Sequence, residues 1–448
     1  MGAKPARGAL PRRVLVVISA AVFAILFFHE PGHRRHRDST DVGHHREGGV
    51  GDGASSSYGG GASSYGGAGG VGRDDALRRG LPSTLDSEGR RGSFNGGDGG
   101  TGAVAREAPR AGGESVGEEP LTYGIKTVGI FHVFRKPPWG GGNQFLMALV
   151  KEFRRRKIKV VENAITDKVQ LYMANAVTFK VDAFRDAMRK SPPGRKLKLV
   201  HRLDGPYYAA RYNKDPRVEA HKPYRAREDD RVYEVNNEFA CASIFQSRWS
   251  YDMNIALGYK PVGPYEIVNN AVDESIFNRE GKKPFDRSTK VRLVGSSWSS
   301  GERKGFKTFK WLDENLDFTR YSFTFMGNLP DGVTFKNIEH APPVTSEKLA
   351  PVLKAHDVYI AASSLEPCSN ALVEALATGL PAVYQRGSGH DELVKSGGLG
   401  FDTPEDIPAA LDELVRDYET FQANIRVTSV SEAADAYLRV YAGCLGLL

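Results

Sequence analysis

Cysteine is scarce in this sequence: Cys241, Cys368 and Cys444 are the only three in 448 residues. So few, so far apart, exclude a disulfide-stapled scaffold and a cysteine-rich zinc module, and no disulfide framework is expected. No Asp-x-Asp pair occurs, so no compact carboxylate pair offers itself to a divalent metal. No Asn-x-Ser/Thr sequon occurs, so the chain carries no N-glycosylation signal of its own. Beyond residue 28 no long apolar run is found, which excludes a bundle of membrane spans. Neither charge dominates, with 61 Lys and Arg against 54 Asp and Glu. The basic excess is local, at Arg12 and Arg13, at Arg34, Arg35 and Arg37, and at Arg154, Arg155, Arg156 and Lys157. Without zinc-finger spacing or an RNP-like strand, these clusters do not predict a nucleic-acid partner.

What is present begins with residues 14–28, fifteen apolar or small residues without a charge, preceded by Arg12 and Arg13. As a helix they span ~23 Å, short of a ~30 Å hydrocarbon core, and flanking arginines can snorkel to relieve the mismatch. His29-Glu30-Pro31 and a basic stretch follow in place of small cleavage-site residues. The expectation is an uncleaved signal anchor at 1–29, with a cleaved signal peptide or an organelle-targeting presequence as alternatives. Residues 30–120 are crowded with glycine and serine, and GASSSYGG at 53–60 is nearly repeated at 61–67. Such a segment buries too little apolar surface to offset chain ordering, and a disordered stalk is expected. An anchor with the rest of the chain on the lumenal side points to the Golgi or endoplasmic reticulum membrane.

From about residue 122, strand and helix patterns alternate, which predicts α/β architecture with parallel sheets. Strand patterns fall at 125–134, 158–161, 196–200, 242–245 and 265–268, and helix patterns at 144–155, 232–239 and 249–257, while 176–189 mixes both. A second unit starts at 291–294, with strands at 322–326, 336–338, 358–360 and 380–384 and helices at 305–316, 345–353, 370–378, 406–415 and 430–441. The chain exceeds the ~250–300 residues of one hydrophobic core. Two Rossmann-like domains are expected, at 121–280 and 281–448, and the last helix can pack back onto the first.

Four loops carry candidate chemistry. In Ser363-Ser364-Leu365-Glu366, the glutamate follows a strand, and Glu374 lies about one turn into the next helix. The free N–H groups at that helix start, around Ser369, Asn370 and Ala371, suit a diphosphate. Glu374 is then placed for a ribose hydroxyl and Glu366 for sugar hydroxyls. The loop 295–305, rich in glycine and serine, brings Arg303 and Lys304 against a leaving diphosphate. The loop 386–392 and the run Gly140-Gly141-Gly142 both allow close backbone approach to a ligand. Each loop alone is also consistent with an ordinary turn or cap.

Taken together, the motifs resemble the group 1 glycosyltransferases, also called family GT4, which have the GT-B fold. The resemblance rests on Ser363-Ser364-Leu365-Glu366, on Glu374-Ala375-Leu376-Ala377-Thr378-Gly379-Leu380-Pro381, and on Gly387, Gly389 and Glu392. Asn269-Asn270-Ala271-Val272-Asp273 is similar to the segment that ends the family's first domain. It implies two Rossmann-like domains facing a cleft, and a retaining transfer from a nucleotide-diphosphate sugar to a glycan, lipid-linked or other hydroxyl acceptor, without a metal. It also implies that Glu374 holds the ribose, that Glu366 meets the donor sugar, and that Lys304 neutralises the diphosphate. Gly141 and Gly142 would approach the phosphates or the acceptor. His201 would match the family's histidine that faces the reacting sugar, or is a histidine satisfied near Asp204. Three positions depart from the pattern: Ser296 where arginine is usual, Cys368 where phenylalanine or glycine is common, and Ala271 in place of a glycine. Other readings of the same motifs are a nucleotide-sugar epimerase of GT-B shape and an inactive carbohydrate-binding or scaffold protein. Acceptor choice would lie in first-domain loops such as 207–231, whose Arg211, Arg217, Arg225, Arg227 and Arg231 would meet an anionic acceptor or a lipid surface, or only solvate the loop.

Overall fold

Short apolar runs between amphipathic stretches form strands buried on both faces, covered by helices. The computed structural model, which describes residues 121–448 apart from 137, 139 and 208–224, has this arrangement twice. The first half runs β1 (Thr127–Phe131), α1 (Gly141–Arg155), β2 (Lys159–Glu162), β3 (Leu171–Asn175), α2 (Val181–Lys190), β4 (Lys198–Leu203), α3 (Arg225–Phe239), β5 (Ala240–Phe245), α4 (Arg248–Ala256) and β6 (Tyr265–Ile267). Its strands are all parallel, in the order β2-β1-β3-β4-β5-β6.

The second half runs β7 (Val291–Ser297), α5 (Phe306–Asn315), β8 (Tyr321–Gly327), β9 (Glu339–Ala341), α6 (Ser346–Ala355), β10 (Val358–Ala361), α7 (Asn370–Ala377), β11 (Ala382–Gln385), α8 (His390–Val394), β12 (Gly398–Phe401), α9 (Ile407–Arg416), α10 (Tyr418–Ala423) and α11 (Val430–Leu445). Its parallel order is β12-β11-β10-β7-β8-β9. Strand order therefore reverses between β1 and β3 and between β7 and β10, where doubly wound sheets open a crevice at their carboxyl ends. Both halves, as far as they are described, belong to one compact unit. The apolar run 14–28 and the glycine-rich stretch up to 120 lie outside the described residues, as do Arg211 and Arg217. Among the described residues no helix is long and apolar enough to cross a membrane.

Several elements differ from the sequence expectation: β12, α8 and α10 fall where no strand or helix was expected, and the short strand expected at 336–338 lies at 339–341 as β9. β3, entirely buried, lies inside the first sheet although no strand was expected there. Its sequence, LYMAN, pairs good helix formers with good strand formers, so periodicity could not assign it. The mixed stretch 176–189 resolves as the turn after β3 followed by α2.

Helix α11 closes the first half. A capping box between Ser429 and Glu432 starts it, and Gly446 in the left-handed region ends it. Its Tyr437 and Tyr441 are buried in the core of the first half, with ring centroids 6.0 Å from Phe145 and 6.1 Å from Phe153. Arg156, its side chain 1% exposed, bonds Glu152 at 2.7 Å and Asp435 of α11, so part of the basic run 154–157 is internal wiring.

The cysteines correct the sequence expectation. Cys241 in β5 and Cys444 in α11 form a disulfide, with Cα atoms 5.7 Å apart and a sequence separation of 203. Sequence distance hid the pair, because only the return of α11 brings the two together. Cys368 is a buried free thiol. Replacing both disulfide partners, as Cys241→Ser with Cys444→Ser, is expected to lower unfolding stability by about 2–4 kcal/mol. Denaturant unfolding with and without reductant checks this: the wild type should fall to the level of the double variant only when reduced.

Candidate active site

The two crevices meet in one cleft of about 400 Å³. Two glycines shape its second-half wall. Gly305 has φ +77°, and a Cβ there would lie 2.2 Å from the Ala362 carbonyl oxygen. The Ser364 amide donates to Arg303 O at 2.9 Å, so the loop before α5 and the loop after β10 run together. Gly389, where a Cβ would lie 2.0 Å from Pro367 O, donates its amide to Glu366 O at 2.9 Å and fixes the loop from the other side.

This packing brings Lys304 Nζ to 2.5 Å from Glu366 Oε2. Burial alone would raise the Glu366 pKa, but the Lys304 ammonium outweighs it and holds the group below the ordinary carboxylate value. Glu366 is therefore a carboxylate at neutral pH. Glu374 is the opposite case. It is 7% exposed on α7, no described group bonds its carboxyl, and burial pushes its pKa up to about 8. At the start of α7, Ser369 caps by accepting from Leu372 N at 3.4 Å. Asn370 beside it has both side-chain polar atoms buried without a partner. All four of these second-half residues, Lys304, Glu366, Asn370 and Glu374, line the cleft, as do Ser369 and Ala371.

Other expected residues are placed differently. Arg303 lines the cleft, but its guanidinium donates to Tyr207 O at 2.5 Å and to Pro206 O at 3.5 Å, holding a first-half loop. Ser296, where an arginine was expected by resemblance, shares a hydrogen bond of 3.1 Å with the buried Tyr359 hydroxyl, so no cation stands at that position. Gly141 and Gly142 are the first residues of α1, and Gly142 with Gly140 borders the cleft. His201 does not face the cleft. It is fully buried, its Nε2 lies 2.9 Å from Ala176 O, and its Nδ1 lies 3.3 Å from the Asn236 amide. Burial lowers its pKa to about 4, so it is a neutral core residue. The reason is register: β4 continues through Leu203, and the first residue past its carboxyl end is Asp204.

Sequence reasoning missed three features. Asp204, Gln246 and Asn270 line the first-half wall at or just after strand ends, a position that could have flagged them. Fully buried Arg202 lies beneath, bonding Asn175, Asn270 at 2.6 Å and Tyr437 at 3.0 Å. Glu392 reaches across the halves and accepts the Arg248 and Trp249 amides at 2.7 and 2.6 Å, capping α4. Among the described residues no group of three or more His, Cys, Asp or Glu is placed to hold a metal ion.

The arrangement can seat a phosphorylated, hydroxyl-rich ligand: amide donors at a helix start, one lysine, one ionised and one neutral carboxyl. Residues 301–417 match the family model described as glycosyl transferases group 1. Sucrose-phosphate synthase from Thermosynechococcus elongatus is similar in structure, with TM-score 0.52 and 12% identity over 72% of this chain and 97% of that one. The catalytic domain of starch synthase IV from Arabidopsis thaliana, bound to ADP and acarbose, gives TM-score 0.53 and 11% identity over 72% of this chain and all 100% of that one. A glycosyltransferase from Rickettsia africae gives 0.50 and 10%, over 72% and 99%. No curated protein matches the chain in sequence.

The Glu374 carboxyl has a consequence for stability. Its folded pKa, about 8, lies above the ordinary 4.5, so the folded protein retains a proton that the unfolded chain releases. Stability from this group is complete below pH 4.5 and is lost as pH rises toward 8. Glu374→Gln is therefore expected to gain on the wild type as pH rises from 5 to 8.5, and parallel melting curves in the absence of nucleotide test this.

Proposed function

We propose that this chain, a glycosyltransferase by its group 1 family segment and its GT-B fold, moves a sugar with retained configuration from a nucleotide-diphosphate donor to a hydroxyl acceptor. The observation that carries this reading is Glu374: a buried acid without a partner, in the same cleft as the amide end of α7 and the Lys304–Glu366 pair. A buried unpaired carboxyl is costly, and a ligand's vicinal ribose hydroxyls would satisfy it.

On this account the donor diphosphate sits at the start of α7, against the amides of Asn370 and Ala371 and the free side chain of Asn370. Lys304 faces its negative charge and also orients Glu366, whose carboxylate accepts donor-sugar hydroxyls. The acceptor oxygen bonds to the anomeric carbon from the face that the diphosphate leaves, the C1–O bond breaks, and its electron pair passes to the diphosphate. A leaving phosphate oxygen takes the acceptor proton, so no protein nucleophile is used. Stabilisation of the developing charge comes from Lys304 and the helix amides. Arg303, tied to the carbonyls of Pro206 and Tyr207, serves to hold the two walls together in this state.

The chain is further proposed to work in the lumen of the Golgi or endoplasmic reticulum, anchored through residues 14–28. The apolar run supports an anchor, and the Cys241–Cys444 disulfide suits an oxidising compartment.

Nucleotide release from a panel of nucleotide sugars tests the activity, with wild type beside Glu374→Ala and Lys304→Ala. Release from one donor class should fall by about 100-fold or more in Lys304→Ala, the size of loss seen when one charge-stabilising donor is removed. In Glu374→Ala the nucleotide Kd should weaken about tenfold or more. A wild-type chain that binds none of the nucleotides would sink the transferase reading.

A further inference from the structure

The two walls of the cleft differ in charge. Lys304 and Arg303 come from the second half, whereas among the described residues the first-half wall offers one ionisable acid, Asp204, set among amides and a phenol. Asp204 follows β4 directly, and its side chain is 28% exposed. Its carboxylate is held on both oxygens. Gln246 donates its amide to Oδ1, Arg202 approaches the same oxygen at 3.5 Å, and the Tyr207 hydroxyl donates to Oδ2 at 3.2 Å. The backbone is fixed too: Asp204 O accepts from Ser250 Oγ at 3.0 Å and from Asn254 Nδ2 at 3.2 Å, both on α4. Tyr207 is in turn tied by its amide to buried Asp229 of α3 at 2.7 Å.

We infer that Asp204 is the acceptor-side anchor of this cleft, its carboxylate receiving a hydroxyl of an uncharged, polyhydroxylated acceptor such as the terminal sugar of a glycan. This rests on the transferase reading above. A carboxylate has lone pairs to spare after accepting from Gln246 and Tyr207, and sugar hydroxyls are the donors that fit. The phenol and the amide fix its plane, so an incoming hydroxyl meets a preorganised acceptor. Among the described residues, the first-half cation beside it is Arg202, fully buried and already engaged by Asn175, Asn270 and Tyr437. A phosphate or carboxylate on the acceptor would thus face Asp204 with like charge and no free described cation to offset it.

The test uses the full chain and the nucleotide sugar from which the wild type releases nucleotide. Methyl glycosides of glucose, galactose and mannose serve as uncharged probes, and glucose 6-phosphate and glucuronic acid as charged ones. Uncharged probes should stimulate release and charged ones should not. Asp204→Asn should raise the acceptor KM about 10- to 100-fold while the nucleotide Kd holds within about twofold. Tyr207→Phe, which keeps the ring and removes one hydroxyl, should shift the same KM in the same direction by a smaller factor. Stimulation only by the charged probes, by none of the uncharged ones, or an unchanged acceptor KM in Asp204→Asn would overturn the inference. Each of those results leaves nucleotide binding and release intact, whereas failure of the transferase reading would show as a wild type that binds no nucleotide.

Discussion

The buried guanidinium of Arg202 is the point on which the cleft's first wall depends. A charge with no exposure must find partners inside the protein, and removing one would leave a bare ion in a low-dielectric interior. Its partners come from four places far apart in sequence: Asn175 at the end of β3, Asp204 after β4, Asn270 after β6 and Tyr437 on α11. It also stacks over the Phe145 ring of α1, 5.1 Å from the centroid. One side chain thus fixes the strand ends that carry the polar wall. The same contact ties that wall to the helix returning from the second half. Asn270 adds a tie across the cleft, its amide meeting Cys368 Sγ at 3.3 Å in the loop that holds Glu366.

The opposite wall is fixed by backbone more than by charge. Gly305 and Gly389 allow three loops to lie against one another at distances no Cβ would tolerate, and Lys304 meets Glu366 as a result. Across the cleft the two walls are bridged by bonds between side chain and backbone: Arg303 to the Pro206 and Tyr207 carbonyls, Glu392 to two α4 amides, and Asn270 to Cys368 O at 3.4 Å. Such contacts are tolerant of side-chain change on the partner and can break and reform as a cleft opens, unlike a packed apolar interface.

How much of this was legible depended on sequence distance. Glu366, Asn370 and Glu374 lie within one loop and one helix, so spacing alone placed them together, and Lys304 follows a strand in a glycine-rich loop whose role is local. The first-half wall was not legible in the same way. His201 and Asp204 sit three positions apart at the end of one strand, and only the true end of β4 decides which of them reaches the cleft; a strand boundary is the least certain feature of a pattern reading. Likewise Cys241 and Cys444 become neighbours solely because α11 crosses back, a contact that no periodicity encodes. β3 escaped because a fully buried strand has no polar face to alternate with.

Glu374 shows why a site of this kind should be only partly legible in stability terms as well. Replacing a buried, unbonded carboxyl by an apolar or amide group of similar size would favour the folded state, so packing alone gives no reason for the acid. Asn370, with both polar atoms buried and unbonded, is in the same position. A buried carboxyl without a described partner and a buried amide without one, four positions apart on one helix and lining one cleft, have no purely structural rationale. A ligand bearing both donors and acceptors would satisfy them together. The unfavourable burial of these groups then becomes part of the affinity for that ligand, since binding removes a penalty that the folded chain otherwise carries.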